Sequence, residues 1–297
     1  MKSREKAAAL VSRFDNNFRC PICKYPMKVI DLRSMVCSNN HTFDFAKQGY
    51  INLLHRAVKS QYDKGLFQAR HEMIIKSDLY GALHEQISEM IRESVEESRK
   101  NHLVLDAGSG EGSHLQRILE MNGSPSLTGI GMDISKEGIR LAASNYRNIT
   151  WFVGDLANIP IENHTLKVIL NILSPANYQE FKRTLAQDGI VLKVVPGQDY
   201  LKELRRVLFD QTERASYKND ETVALFNTHF RSVNIKSVKY KQQLSQTELK
   251  HLLEMSPLSW NMEADVRNRF GHMNRFETTI DLDILIGKDA RMKGEGI

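Results

Sequence analysis

The stretch that most constrains this chain is a short apolar run that empties into a glycine-rich turn. LVLD (103–106) leads into Asp106-Ala107-Gly108-Ser109-Gly110-Glu111-Gly112, and a helix-like segment (113–121) follows. Glycines permit a tight turn and let a ligand approach the backbone at a helix N-terminus. The pattern around the turn is regular. Apolar runs at 127–133, 149–155, 166–173 and 189–195 alternate with amphipathic segments near 135–146, 175–187 and 198–209. Continuous apolar strands separated by helices predict a parallel sheet covered on both faces. Ser135 reads as an N-cap, and so does Ser174, with Pro175 at the first helical position. VNIKSVKYKQQL (233–244) and ETTIDLDILIG (277–287) read as two further strands, with a helix near 245–255 and the connection SPLSW (256–260) between them.

The turn has the spacing GxGxG. A dinucleotide fingerprint would be GxGxxG, but its last position here is Ser113. A methionine-linked nucleoside has no pyrophosphate to cradle, and an acid before the turn, Asp106, can meet its amino group. The reading is therefore S-adenosylmethionine rather than a nicotinamide dinucleotide, with Gly108, Gly110 and Gly112 shaping the cradle. Asp133 ends the second strand, 21 residues after Gly112, where an acid can accept hydrogen bonds from ribose hydroxyls. Asp155 ends the third strand and can accept from the adenine amino group. Each acid also has a plainer reading, as a helix N-terminal charge or a turn residue. Five parallel strands followed by two terminal ones, the last inserted antiparallel, resemble the class I methyltransferase layout. The expected fold is α/β, a Rossmann-like seven-stranded methyltransferase domain (101–297) with a small N-terminal zinc-binding module (1–54).

That module rests on three cysteines, the only ones in the chain. Cys20, Cys23, Cys37 and His41 follow C-x2-C-x13-C-x3-H, a spacing that can wrap a tetrahedral Zn2+ with three thiolates and one imidazole. Four protein ligands leave no open position, so the predicted role is structural. Clustered thiols in a chain without a signal-like N-terminus argue for metal over disulfides. No apolar run approaches a membrane span, and the reading is cytoplasmic with no membrane partner. A net charge of +5 permits a polyanionic partner without requiring one. Residues 55–68 read as a polar linker. Residues 69–98 read as one helix, on the spacing of Met73, Ile74, Leu79, Leu83, Ile87, Met90, Ile91 and Val95.

Taken together, FRCPICKYPM, VCSNNHTFDFAKQGYINLL, the QAR tripeptide (68–70), DAGSGEG, GMDISKEGI, LSPANYQE and EMSPLSW resemble the 23S rRNA (guanine-N1)-methyltransferases, the RlmA family. The resemblance spans roughly Phe18 to Gly287. It implies methylation of N1 of a guanine, position 745 or 748, in the helix 35 hairpin loop of 23S rRNA. In some members this contributes to macrolide (tylosin) resistance. It further implies that Tyr80, Gly110 and Glu111 contact the cofactor. So does Tyr200, at a position where a member of the family has histidine. Cys20, Cys23, Cys37 and His41 match the family's zinc ligands, and a homodimer is implied.

Guanine N1 carries a proton at neutral pH, so the task is positioning plus proton removal. Asn171 and Ser174, at the end of the fourth strand, are the candidates for contact with the base. Neither is a good proton acceptor, and simple helix capping by Ser174 is the stronger alternative. Arg19, Lys24, Lys28, Arg33 and Lys47, with Tyr25, Phe43, Phe45 and Tyr50, give the zinc module charges and rings suited to RNA. The rings equally suit a small core. Two other functions stay open on the residues alone. One is a small-molecule methyltransferase whose zinc knuckle serves protein contacts. The other is a zinc-dependent RNA-binding protein without catalysis.

Overall fold

Each of the seven apolar runs becomes a strand of one sheet, and the zinc module adds an eighth. The computed structural model describes residues 2–54, 56, 62–95, 101–209, 217–260 and 262–291. The strands that match the expectation are β5 (His102–Ala107), β6 (Leu127–Asp133), β7 (Thr150–Val153), β8 (Leu166–Ile172), β9 (Leu185–Pro196), β10 (Phe230–Ser245) and β11 (Arg275–Ala290). Their order is β10-β11-β9-β8-β5-β6-β7, and β4 (Ile51–Asn52) joins beyond β7. Pairing is parallel from β4 to β9, and β11 runs antiparallel to both β9 and β10. The terminal strand thus inserts as expected.

The central strands are buried on both faces, which is why they read as largely apolar runs without alternation: every residue of β7 and β8 is buried. Alternate side chains feed two cores. In β8, Val168, Leu170 and Ile172 join one cluster and Ile169 the other. The first cluster is covered by α3 (Gly81–Val95), α4 (Ser113–Asn122), α5 (Lys136–Asn145), α7 (Lys202–Leu208) and α9 (Gln246–Met255). The second is covered by α1 (Ser3–Ser12), the zinc module, α6 (Tyr178–Thr184) and α8 (Asp220–His229). Ser135 caps α5, accepting from the Gly138 N–H at 3.3 Å.

Two sequence expectations are corrected. Ser174 does not cap α6. Asn177 does, accepting from the Glu180 N–H at 3.1 Å, and Leu185, expected in that helix, already belongs to β9. The helix expected over 69–98 is broken. Asp63 caps α2 (Lys64–His71), accepting from the Leu66 N–H at 2.9 Å, so helix begins inside the expected linker. A π turn, Glu72–Lys76, and a bend at Asp78 (φ 50°) separate α2 from α3. The break is silent in the pattern because both segments face the same core: Met73, Leu79, Tyr80, Leu83 and Ile87 all pack into the first cluster. Residues 55, 57–61 and 96–98 of these readings lie outside the described residues.

The zinc module folds as an antiparallel sheet of β1 (Met27–Ile30), β2 (Ser34–Cys37) and β3 (Thr42–Asp44). It is stitched to the main sheet. Ile51 and Asn52 pair with Phe152 and Val153, and the Leu53 N–H donates to the Val153 carbonyl at 2.8 Å. Phe18 stacks edge-on against Phe152, 5.3 Å between centroids.

Candidate cofactor and metal sites

The glycine turn leaves the carboxyl end of β5 and enters α4. Gly108, Gly110 and Gly112 all have positive φ, 87°, 58° and 81°. At Gly112 a side chain would run into the Trp151 indole. At Gly110 a Cβ would pack in ordinary contact with the Phe67 ring at 3.5 Å and the Arg70 guanidinium at 3.7 Å, so here it is the positive φ rather than lack of room that calls for glycine. The Gly110 N–H donates to Asp133 Oδ2 at 2.8 Å, and Asp133 Oδ1 accepts from the Ser135 N–H at 2.7 Å. Asp133 thereby fastens the turn to the end of β6. Burial raises its pKa, and the two N–H groups oppose the rise.

Three buried oxygens around the turn, Asp106 Oδ1, Ser109 Oγ and Glu111 Oε1, have no hydrogen-bond partner among the described residues. Such groups are costly unless a ligand meets them. Asp106 is 1 % exposed, and burial pushes its carboxyl up to about 8. The other Glu111 oxygen accepts from Arg70 Nε at 2.8 Å. Burial opposes the Arg70 charge, but the carboxylate outweighs it and the guanidinium pKa is raised. Tyr80 and Tyr200, 120 residues apart, share a 2.7 Å hydrogen bond between buried hydroxyls. The Tyr80 ring also packs edge-on to His114, which hydrogen-bonds His84 at 2.8 Å. Burial lowers both histidine pKa values, that of His84 to about 4. The fold therefore gathers Tyr80, Asp106, Gly108, Gly110, Glu111, Gly112, Asp133 and Tyr200 about the glycine turn. Asp155 stands outside this buried set: it is exposed and accepts from the Ala157 N–H at 2.9 Å in a tight turn.

At the end of β8, Asn171 is fully buried. Its amide donates to the carbonyls of Ala107 (2.8 Å) and Pro175 (3.0 Å), and its oxygen accepts from Lys193 Nζ at 2.6 Å. Lys193 also donates to the Ser174 carbonyl at 3.0 Å, and burial lowers its amine to about 8. Asn171 is thus committed to holding the 171–175 segment against the glycine turn, and it has no free amide group to offer a base. Sequence reasoning passed over Arg70 and Lys193. The only trace of Arg70 was the QAR tripeptide. Lys193 lay hidden in an apolar run.

In the zinc module, Cys20, Cys23, Cys37 and His41 place their ligand atoms within 4.8 Å of one another. Cys20 Sγ and Cys37 Sγ lie 3.6 and 3.4 Å from His41 Nδ1, and Cys23 Sγ lies 3.5 Å from Cys37 Sγ. These spacings match the edges of a tetrahedron with Zn–S near 2.3 Å, about 3.5–3.8 Å. Two knuckle turns build it, with positive φ at Lys24 (66°) and Asn40 (62°). Among the rings, Phe45 and Tyr50 are core, Phe43 packs half-buried against it, and Tyr25 is 53 % exposed. Among the charges, Lys24 bonds Pro21 and Asn158, Lys28 pairs with Asp15 at 3.1 Å, and Arg19 lies 4.0 Å from Glu180. Arg33 and Lys47 are exposed.

The geometry agrees with the relatives of this chain. Residues 18–60 match the model of the RlmA N-terminal zinc ribbon, and residues 104–194 match a methyltransferase domain. YxjB of Bacillus subtilis (strain 168), assigned as a 23S rRNA (guanine-N(1)-)-methyltransferase, is 36% identical over 272 residues, covering 91% of this chain and 96% of that protein. The chain belongs to the 23S rRNA (guanine-N1)-methyltransferase family. The 23S rRNA (guanine(748)-N(1))-methyltransferase of Streptomyces fradiae is 32% identical over 248 residues, 83% of this chain and 87% of that one. Among solved structures, the plantazolicin methyltransferase BpumL in complex with SAH aligns with a TM-score of 0.48 and 15% identity, over 77% of this chain and 91% of that one. As a member of the family this chain is a methyltransferase that uses S-adenosylmethionine and carries a structural zinc ribbon. Among the described residues, no helix is long and apolar enough to cross a membrane.

Proposed function

We propose that this protein methylates N1 of a guanine, position 745 or 748, in the helix 35 hairpin loop of 23S rRNA. The observation that carries the reading is the set of buried, partnerless oxygens at the glycine turn, on the same sheet to which a Cys3His ribbon is stitched. In this reading residues 1–54 recognise RNA, 55–100 connect, and 101–297 perform catalysis. The ribbon would meet RNA through Lys24, Tyr25, Lys28, Arg33 and Lys47, the exposed members of its charge-and-ring set.

S-adenosylmethionine supplies an electrophilic methyl group when bound. Asp106 would take its amino group, and the Gly108–Gly112 turn, Glu111, Tyr80 and Tyr200 would enclose it. Asp133 would meet the ribose hydroxyls and Asp155 the adenine amino group. Asn171 and Lys193 position the 171–175 segment, leaving Ser174 beside the glycine turn to face the base. The N1 proton passes to water. A loop guanine is cheaper to unstack than one in a duplex, which favours a hairpin target. Primer extension on rRNA from cells with and without the protein tests this, because N1 methylation blocks Watson–Crick pairing. The expected result is a stop at one of the two guanines that disappears with the protein. An unchanged pattern across the hairpin would overturn the reading.

A further inference from the structure

Tyr62 and Trp260 remain unexplained by cofactor or zinc binding. Both are large aromatics left in solvent, 44 % and 40 % exposed. They come from distant parts of the chain yet meet edge-on, 5.7 Å between centroids and 67° between planes. Two rings at this angle form a corner, one face for stacking and the other for a wall. The corner is held from below. Tyr62 packs on Phe67, 6.1 Å away. Phe67 is 3 % exposed and packs against the glycine turn, its ring 3.5 Å from where a Gly110 side chain would begin. The backbone before Trp260 forms a short 3-10 turn, Pro257–Ser259, in which Ser259 Oγ donates to the Ser256 and Leu253 carbonyls. The indole is therefore exposed on a fixed base.

We propose that Tyr62 and Trp260 form the ledge on which the target guanine stacks after leaving its loop. This inference rests on the rRNA reading above and names the residues that receive the base. An unstacked base replaces its lost neighbours with aromatic faces. A methyl acceptor must also lie beside the methyl donor, and this exposed pair reaches the cofactor turn through the single ring of Phe67.

The chain has two tryptophans. Trp151 is 2 % exposed, with its indole N–H on the Tyr146 carbonyl at 2.8 Å, so Trp260 is the one that reports on RNA. A hairpin carrying the target guanine should quench the emission of the wild-type protein but not that of Trp260→Phe. A hairpin with an abasic target position should bind without that quenching. Trp260→Ala should cost about 10-fold or more in KM for the hairpin, as expected for loss of one stacked base. Trp260→Phe should recover most of that loss, and both variants should keep wild-type affinity for S-adenosylmethionine. Binding of the hairpin, seen by anisotropy, without a Trp260-dependent change in emission overturns the ledge alone. Equal quenching by the abasic hairpin does the same. Failure of the wild-type protein to bind or methylate the hairpin overturns the rRNA reading and the ledge with it.

Discussion

Replacing Asp106 by asparagine should make the cofactor-free protein more stable and the cofactor harder to bind. The Asp106 carboxyl is 1 % exposed, and burial lifts it from 3.8 to about 8. A raised carboxyl pKa means that the folded state holds a proton which the unfolded chain has released. Stability is therefore lost as pH climbs from 3.8 towards 8, at about 1.4 kcal/mol per pH unit. The loss amounts to about 2 kcal/mol at pH 5 and about 4 kcal/mol at pH 7, and it levels off above pH 8. Asp106→Asn has the same shape and no charge to bury, so it escapes the loss. Urea unfolding of both proteins without cofactor, at pH 5, 6, 7 and 8, should show a gap that widens with pH and then flattens. A gap that does not vary with pH would refute the argument.

The same carboxylate should be needed for the cationic amino group of S-adenosylmethionine. Below about pH 8 the wild-type protein must shed a proton on binding. Calorimetry at pH 6.5 in buffers of different ionisation enthalpy should therefore register release of close to one proton. Asp106→Asn should release none and bind at least about 10-fold more weakly, the loss expected for a charge-assisted contact. Equal affinity would remove Asp106 from the pocket.

Three further outcomes are expected. Freshly purified protein should hold one zinc per chain by elemental analysis, and Cys37→Ala should lose it together with hydrogen-exchange protection across 18–54, since a module this small lacks a self-sufficient core. Glu111→Gln should strip the Arg70 guanidinium of its carboxylate, lowering unfolding free energy by about 3 kcal/mol and raising the Kd for S-adenosylmethionine. Asn171→Ala should leave the Ala107 and Pro175 carbonyls without a donor and Lys193 with one partner fewer. The expected cost is about 2–3 kcal/mol in denaturation and a slower single-turnover methyl transfer, with cofactor affinity unchanged.

The fold was readable because its strands are buried on both faces. LVLD, LKVILNIL and GIVLKVV are apolar at successive positions rather than alternating ones, with only isolated polar residues, and that reads as parallel sheet whatever the tertiary detail. The zinc ligands were readable for a similar reason: a tetrahedral ion fixes ligand spacing locally, within 22 residues from Cys20 to His41. What failed to show was non-local or too short for a period. β4 has two residues, and its partners lie a hundred positions away. The break between α2 and α3 hides because both pieces bury their apolar side in the same core. Ser174-Pro175 has the composition of a cap, yet the first turn of α6 begins three residues later, where Asn177 is placed to accept.

The amino-acid sequence by itself determined the architecture, the metal cluster and the glycine-rich turn, because each rests on neighbours in the chain. The tertiary structure alone decided what those residues do next to one another. Folding buries Asp106 with its Oδ1 unpartnered among the described residues, joins Tyr80 to Tyr200, sets Arg70 on Glu111 and turns Asn171 from a contact for the base into a brace for Lys193. Burial and through-space pairing depend on which elements the sheet brings together, and a linear pattern carries no record of either.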